Sequence, residues 1–308
     1  MKGMAGASSN PMREKKADGD GAMQGMTGTL SNPMREKSQK AKGDDAMQGV
    51  PVVILAGGRG TRLGELTGVT PKPMVKIGDE PIIWHIMKWF MKAGFREFYI
   101  LTGYLHEEVE RYFLHKGYSG SGKISVSDLE IKGERKGKLG CTVHLIDTGE
   151  KTGIAARVKK VEHEIGSRRF ILTYGDGLAD IDLARLLSTH EASRKKHNTV
   201  VTISAVQPRS KFGVVDIDGG GKVLRFMEKP VVHEWINIGY MVLEPELFAY
   251  LSNVKEGDML ERDIYPKITA DGKISAYCHP GEFCAMDSYA DFVELNSLWS
   301  AGKAFWKV

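Results

Sequence analysis

The sequence predicts an α/β protein built on an open, Rossmann-like doubly wound sheet, mixed but mainly parallel, with a small β-rich part late in the chain. Three observations carry this. From residue 50 onward, short apolar runs ending in glycine turns alternate with helical patterns, the order that a parallel sheet and its covering helices require. The first run, Val50-Pro-Val-Val-Ile-Leu-Ala56, is continuously apolar, as a strand buried on both faces has to be. Between Lys211 and Phe226 the pattern becomes strand-rich around Asp218-Gly-Gly-Gly221, which reads as a hairpin turn rather than another strand–helix–strand unit.

Each element has its own local reason. After the first strand, Pro81 to Ala93 reads as a helix opened by proline and stopped by Gly94, and Glu97 to Thr102 as the second strand. His106 to His115 continues as a helix. Further strands are expected at Cys141 to Ile146, Arg169 to Tyr174, Thr199 to Val206, Val214 to Ile217, Val223 to Met227 and Ile236 to Leu243. Helices are expected at Ala155 to Glu164, Leu183 to Ser193 and Ser288 to Trp299.

The chain divides in two. Residues 1–49 hold half of the 14 methionines and no Phe, Trp or Tyr, so they cannot bury enough apolar surface to offset ordering entropy and read as a disordered tail. That tail repeats itself: Ser9-Asn-Pro-Met-Arg-Glu-Lys15 recurs as Ser31-Asn-Pro-Met-Arg-Glu-Lys37. Residues 50–308 form the folded domain. With 43 Lys plus Arg against 39 Asp plus Glu, the net charge of +4 is too balanced to announce a nucleic-acid or membrane partner. The three cysteines, at 141, 278 and 284, form no Cys-x-x-Cys pair, which argues against a disulfide framework or zinc ribbon and suits a reducing cytoplasm. They read as packing residues. No apolar stretch reaches the roughly 18 residues of a membrane span.

Ligands of open α/β sheets bind at the carboxyl ends of strands, so Gly57-Gly-Arg-Gly-Thr-Arg-Leu63 is the natural cradle. Its glycines allow backbone N–H groups close to an anion, yet the spacing fits neither a dinucleotide fingerprint nor a Walker A loop. Lys72 follows between two prolines in Thr70-Pro-Lys-Pro-Met74; proline stiffens the backbone on either side, so this lysine is held rather than free. With Arg59 and Arg62 it makes a local cationic site suited to polyphosphate. Asp176, between two glycines in Tyr174-Gly-Asp-Gly-Leu-Ala-Asp180, and Asp287, in Cys284-Ala-Met-Asp-Ser-Tyr-Ala-Asp291, are placed at element ends, where two carboxylates plus substrate phosphates suit magnesium. Glu228 and Lys229 in Phe226-Met-Glu-Lys-Pro230 offer an acceptor for hydroxyls and a cation for a phosphate.

Taken together and in order, Val53-Ile-Leu-Ala-Gly-Gly-Arg-Gly-Thr-Arg-Leu63, Pro71-Lys-Pro-Met74, Tyr174-Gly-Asp-Gly177, Glu228-Lys-Pro230 and Met286-Asp-Ser288 resemble the sugar-1-phosphate nucleotidyltransferases, across residues 51 to 308. Within that family the likeness runs to the branch that uses CTP and glucose 1-phosphate, through Ile82-Ile-Trp-His-Ile-Met-Lys88, Leu145-Ile-Asp-Thr-Gly149 and Ala304-Phe-Trp-Lys307. The resemblance implies the nucleotide-diphospho-sugar transferase fold, and transfer of a nucleotidyl group from an NTP, CTP foremost, to a sugar 1-phosphate. Pyrophosphate would leave.

The resemblance also implies roles. Arg62 would hold the triphosphate and Lys72 the α-phosphate, while Leu55, Ala56, Gly57 and Gly58 frame the base with Gly60 and Thr61 beside them. Asp176 and Asp287 would bind Mg²⁺. Lys229 would neutralise the sugar phosphate, and Glu228 would read sugar hydroxyls, with Asn237 and Gly239 also on the sugar side. A homo-oligomer is implied as well. The chain departs from that branch at Ile154-Ala-Ala-Arg157, where those enzymes carry Thr-Gly-Gly-Arg, and at Cys284, where they carry an aromatic residue; both positions bear on specificity. GTP-, UTP- or dTTP-using relatives and a catalytically silent nucleotide-sugar regulator are the alternatives.

Overall fold

A computed structural model describes residue 47, residues 49–115, the backbone of residues 123–126, and residues 140–308. The rest of the expected tail, and most of the Gly117 to Gly140 stretch, lie outside the described residues. Met47 falls within the range expected to be tail, but it is only 8% exposed and packs into the core.

The described strands, in chain order, are β1 (Val52–Leu55), β2 (Lys76–Ile77), β3 (Glu80–Pro81), β4 (Glu97–Thr102), β5 (Lys123–Val126), β6 (Cys141–Asp147), β7 (Phe170–Tyr174), β8 (Gly177–Ala179), β9 (Val201–Val206), β10 (Val214–Ile217), β11 (Val223–Met227), β12 (Ile236–Leu243), β13 (Ile274–Cys278) and β14 (Phe283–Ala285). Eight of them form one sheet in the order β13-β9-β12-β7-β1-β4-β6-β5. The ladders between β13 and β9, β7 and β1, β1 and β4, and β4 and β6 are parallel. β12 runs against both of its neighbours and β5 against β6, so the sheet is mixed and mainly parallel, as expected.

The continuous apolar character of β1 follows from burial on both faces. Val52 and Ile54 join one core, Val53 and Leu55 the other. β4 repeats this, with Phe98 and Ile100 on one side and Tyr99 and Leu101 on the other. The first core is covered by the helix Ile82–Lys92, whose Ile82, Ile83, Ile86, Met87, Phe90 and Met91 are buried, together with Val109 and Phe113 of the helix His106–His115. The second core is closed by Ala155 and Val158 of the helix Ile154–Lys159, by Ile264 of the turn Leu260–Ile264 and by Ile268 of the helix Tyr265–Ala270. No helix among the described residues is long and apolar enough to cross a membrane.

Two expectations needed correction. The single helix expected over Ala155 to Glu164 is two, Ile154–Lys159 and Glu162–Ile165, because buried Val161 takes φ −100, ψ 8 and interrupts the helical backbone. Cys278 is exposed rather than a packing residue. The hairpin of β10 and β11 is present, and Asp218 turns it by accepting N–H bonds from Gly220 and Lys222, both at 2.9 Å, with Gly221 at φ +86.

Candidate active site

The chain winds from β1 to β4 and β6 on one side, then crosses back to β7 on the other, so the carboxyl ends of β1 and β7 diverge at a topological switch point, where a crevice opens. A cleft of about 420 Å³ occupies that place, lined by Leu55, Gly57, Gly58, Gly60, Thr61 and Arg62 from the first loop and by Lys72, Tyr174, Asp176 and Asp287 opposite. Ala56 is not on its surface: it is buried, and its N–H is spent on the Leu101 carbonyl at 2.9 Å.

The glycines of the first loop are needed for close approach. Gly60 has φ +66, and a Cβ there would lie 2.8 Å from Cβ of Lys72; a side chain is excluded both by conformation and by space. Pro71 caps a single 3₁₀ turn, Lys72–Met74, so the proline bracket does fix the lysine backbone. The Lys72 side chain is only 12% exposed, and its Nζ lies 2.5 Å from Asp176 Oδ2 and 2.6 Å from Asp287 Oδ1. Burial pulls its pKa down, but the two carboxylates outweigh burial and hold it above 10.5, so the ammonium is charged at every physiological pH.

The two aspartates are 111 residues apart in number (287 less 176) and are joined by a ladder. β8 and β14 pair antiparallel with Gly177 opposite Ala285, and the Met286 N–H donates to the Asp176 carbonyl at 2.9 Å. Asp287 is then oriented from the other side by Asp291. One oxygen of Asp291 accepts from the N–H groups of Asp287 (3.1 Å) and Ser288 (2.8 Å) and from the Ser288 hydroxyl (2.8 Å), closing the capping box of the helix Tyr289–Ser300. Burial tends to raise the Asp291 pKa; the bonds from Ser288 and the Lys211 ammonium outweigh it and leave it lowered. Among the described residues no group of three or more His, Cys, Asp or Glu converges on one point, so Asp176 and Asp287 stand as a pair.

The remaining cations differ. Arg62 is 79% exposed, 3.8 Å from Asp287. Arg59 is drawn away from the cleft centre, paired with Glu150 and stacked 5.1 Å from the Tyr104 ring centroid. Glu228 and Lys229 are not brought to the cleft wall: both are exposed, their charged atoms 4.0 Å apart, just beyond β11 in a hairpin that is not part of the main sheet. Asn237 is spent on the N–H of Gly239 at 3.0 Å, and Gly239, at φ +80, accommodates the Tyr174 ring where any Cβ would overlap it. Gly239 packs against the Tyr174 ring, and neither residue lines the cleft.

Three residues of the site carry no role in the sequence reading. Asp291 has the Ser-x-x-Asp spacing of a capping box, a signal available in the sequence. Tyr174 donates its hydroxyl to Glu261, and burial followed by nearby acidic groups drives its pKa far upward, so it is a fixed donor rather than a proton source. Arg157 lies buried under the first loop. Burial pushes the thiols of Cys141 and Cys284 up to about 12, so neither supplies a thiolate.

This arrangement is that of the nucleotide-diphospho-sugar transferase fold. A putative glucose-1-phosphate thymidylyltransferase from Bacillus anthracis superposes with a TM-score of 0.60 at 20% identity, covering 81% of this chain and 94% of that one. A UDP-glucose pyrophosphorylase superposes with a TM-score of 0.59 at 20% identity, over 82% and 99%. The nucleotidyl transferase family model matches residues 51–306, and the chain belongs to that family. It is 36% identical over 260 residues to a probable glucose-1-phosphate cytidylyltransferase of Bacillus subtilis, and 38% identical over 261 residues to the glucose-1-phosphate cytidylyltransferase of Salmonella typhi, in each case over 83% of this chain and 98% of the relative. A UTP–glucose-1-phosphate uridylyltransferase of Synechocystis is 31% identical over 236 residues, 71% of this chain and 55% of that one.

Proposed function

We propose that the protein transfers the cytidylyl group of CTP to glucose 1-phosphate, giving CDP-glucose and pyrophosphate, with Mg²⁺. The observation that carries the reading is the held ammonium of Lys72 facing Asp176 and Asp287 at the end of a glycine loop, in a chain 36–38% identical to glucose-1-phosphate cytidylyltransferases.

The reaction needs charge control more than proton transfer. A phosphate monoester, with a second pKa of about 6, is already largely ionised at pH 7. Two unit charges about 4 Å apart repel by about 4 kcal/mol at an effective dielectric near 20, and each reactant carries several. Lys72 meets the α-phosphate, where negative charge grows as the sugar-phosphate oxygen attacks in line. Arg62, exposed at the mouth, takes the β- and γ-phosphates that leave. Backbone N–H groups of Gly57 and Gly58, with Leu55, Gly60 and Thr61, frame the nucleotide.

The residues fit a divalent cation, because two ladder-held carboxylates already converge on one cationic atom and leave room for phosphate oxygens as further ligands. Asp176 and Asp287 would hold Mg²⁺, which neutralises phosphate charge and orients the triphosphate when bound. Lys229 and Glu228 stand as the sugar-phosphate residues by motif only; the cleft wall does not include them.

Pyrophosphate release with Mg²⁺, glucose 1-phosphate and each of CTP, GTP, UTP and dTTP tests the reading. CTP is expected to be preferred. Activity confined to UTP, or to GTP with mannose 1-phosphate, would replace the base or sugar assignment, and relatives of both kinds are 27–31% identical to this chain. Silence with every triphosphate and sugar phosphate would leave a nucleotide-sugar regulator, against which stands the presence of Arg62, Lys72, Asp176 and Asp287 together in one cleft.

A further inference from the structure

Lys72 does more than stand near Asp176 and Asp287. Its Nζ takes one oxygen from each carboxylate, Oδ2 of Asp176 at 2.5 Å and Oδ1 of Asp287 at 2.6 Å. The other Asp287 oxygen, Oδ2, already lies 3.8 Å from Arg62 Nη1. The lysine cannot readily withdraw. Its backbone is fixed in the 3₁₀ turn between Pro71 and Val75, and its stem is packed under Gly60, where an added Cβ would lie 2.8 Å from Cβ and 3.2 Å from Cγ and Cδ of Lys72. Only 12% of the side chain is exposed.

Charge then decides what the carboxylate pair can hold. Two carboxylates alone would attract a bare divalent cation. Here two negative charges, Asp176 and Asp287, face two positive ones, Lys72 and Arg62, so an incoming dication meets a cluster without net charge and an ammonium at its centre. Because that ammonium is nearly enclosed, salt and water screen it little. Ligand number points the same way, since among the described residues no third His, Cys, Asp or Glu converges on the pair. A hard divalent cation bound through two carboxylates draws its further oxygen ligands from water and substrate phosphates. A triphosphate supplies both missing parts, the oxygens and several negative charges to set against Lys72 and Arg62.

We infer that Lys72 gates the cation site by charge: in the nucleotide-free protein its ammonium satisfies Asp176 and Asp287, and a divalent cation is held there tightly only together with the triphosphate. The inference rests on the nucleotidyl-transfer reading of the cleft and adds an order to it, because cation and triphosphate are taken up as one unit. Linkage makes the coupling mutual: whatever factor the triphosphate adds to cation affinity, the cation adds to triphosphate affinity. The ammonium stays where the α-phosphate arrives, so the same side chain serves the free and the loaded cleft.

The test is Mn²⁺ binding to the full chain without nucleotide, followed by the paramagnetic resonance of free Mn²⁺, with circular dichroism as the check on folding. Wild type is expected to bind Mn²⁺ weakly. Lys72→Met removes the ammonium and leaves both carboxylates, so it should bind Mn²⁺ at least about tenfold more tightly, even though the same substitution lowers turnover. A lysine with a merely structural role would not move the two readouts in opposite directions. Lys72→Met combined with Asp176→Asn should lose the gain, which assigns the bound ion to the carboxylate pair. Equal Mn²⁺ binding by wild type and Lys72→Met, no binding by either, or a gain that survives Asp176→Asn overturns the inference. Should Lys72→Met fail to fold, Lys72→Gln, also uncharged, decides on the same terms. Failure of the underlying reading looks different, because then Lys72→Met still gains Mn²⁺ while wild type turns over no triphosphate.

Discussion

Lys72 shows how one residue's setting decides its chemistry. On an open surface an ammonium beside two carboxylates is worth little, because water screens the pair. Here the lysine is held by Pro71 and Pro73 and is nearly enclosed, and both carboxylates lie within 2.6 Å of it. Its positive charge is therefore fixed in place before substrate arrives, which is the condition for transition-state stabilisation without reorganisation. Lys72→Met is expected to lower kcat/KM for pyrophosphate release by about 10³-fold, some 4 kcal/mol of transition-state stabilisation, with the fold retained by circular dichroism. A loss under tenfold would remove Lys72 from the chemistry. Asp176→Asn should bring a loss of comparable size together with a raised Mg²⁺ requirement in the same assay.

At the scale of elements, sequence pattern served where elements are continuous and failed where they are short. Glu97–Thr102, His106–His115 and Ile236–Leu243 have the expected limits, because apolar runs bounded by turn residues report burial directly. β8 and β14 have three residues each, too few for a period, and their pairing across the chain is what brings Asp176 to Asp287. β13 was missed because it lies at the sheet edge, half-exposed, with polar residues among its apolar ones. Glu228 and Lys229 were read from a motif that says nothing about where a separate hairpin points. Arg157 was visible as a residue, but its bonds to carbonyls of distant loops leave no local trace. The clearest element-level prediction concerns Asp291, which joins the helix Tyr289–Ser300 to the site. Asp291→Ala removes the acceptor of four hydrogen bonds, three to one oxygen and one from Lys211 to the other; a destabilisation of about 1–3 kcal/mol in urea unfolding is expected from the lost cap and the orphaned N–H groups. Because Asp287 loses its brace, kcat/KM should fall about tenfold as well. Unchanged activity beside lowered stability would mean that the β8–β14 ladder positions Asp287 without help.

For the molecule as a whole, a buried core histidine that does not line the cleft is expected to contribute acid sensitivity. His85 sits in the first turn of the helix Ile82–Lys92, 1% exposed, its Nε2 donating to the Ile77 carbonyl at 2.9 Å and its ring 4.7 Å from that of Trp299. Its Nδ1 is buried and makes no hydrogen bond among the described residues, and the Glu80 backbone and carboxylate, which favour a second proton, do not offset that burial. Burial, reinforced by the charge of Lys88, lowers its pKa to about 4 from 6.5. The folded protein therefore keeps His85 neutral where the unfolded chain takes up a proton, and the unfolded state binds more protons throughout that interval. Stability contributed by the neutral ring is present above pH 6.5 and is lost as the pH falls toward 4. Between pH 7 and pH 5 the loss should be about 2 kcal/mol. His85→Gln keeps a donor for the Ile77 carbonyl but cannot titrate. Its unfolding free energy should start below that of the wild type at pH 7, through imperfect packing, and then fall less steeply with acid, so that the difference between the two proteins narrows by about 2 kcal/mol at pH 5. Parallel curves would mean that another group accounts for the acid sensitivity, and that the helix covering the first core tolerates a charged histidine.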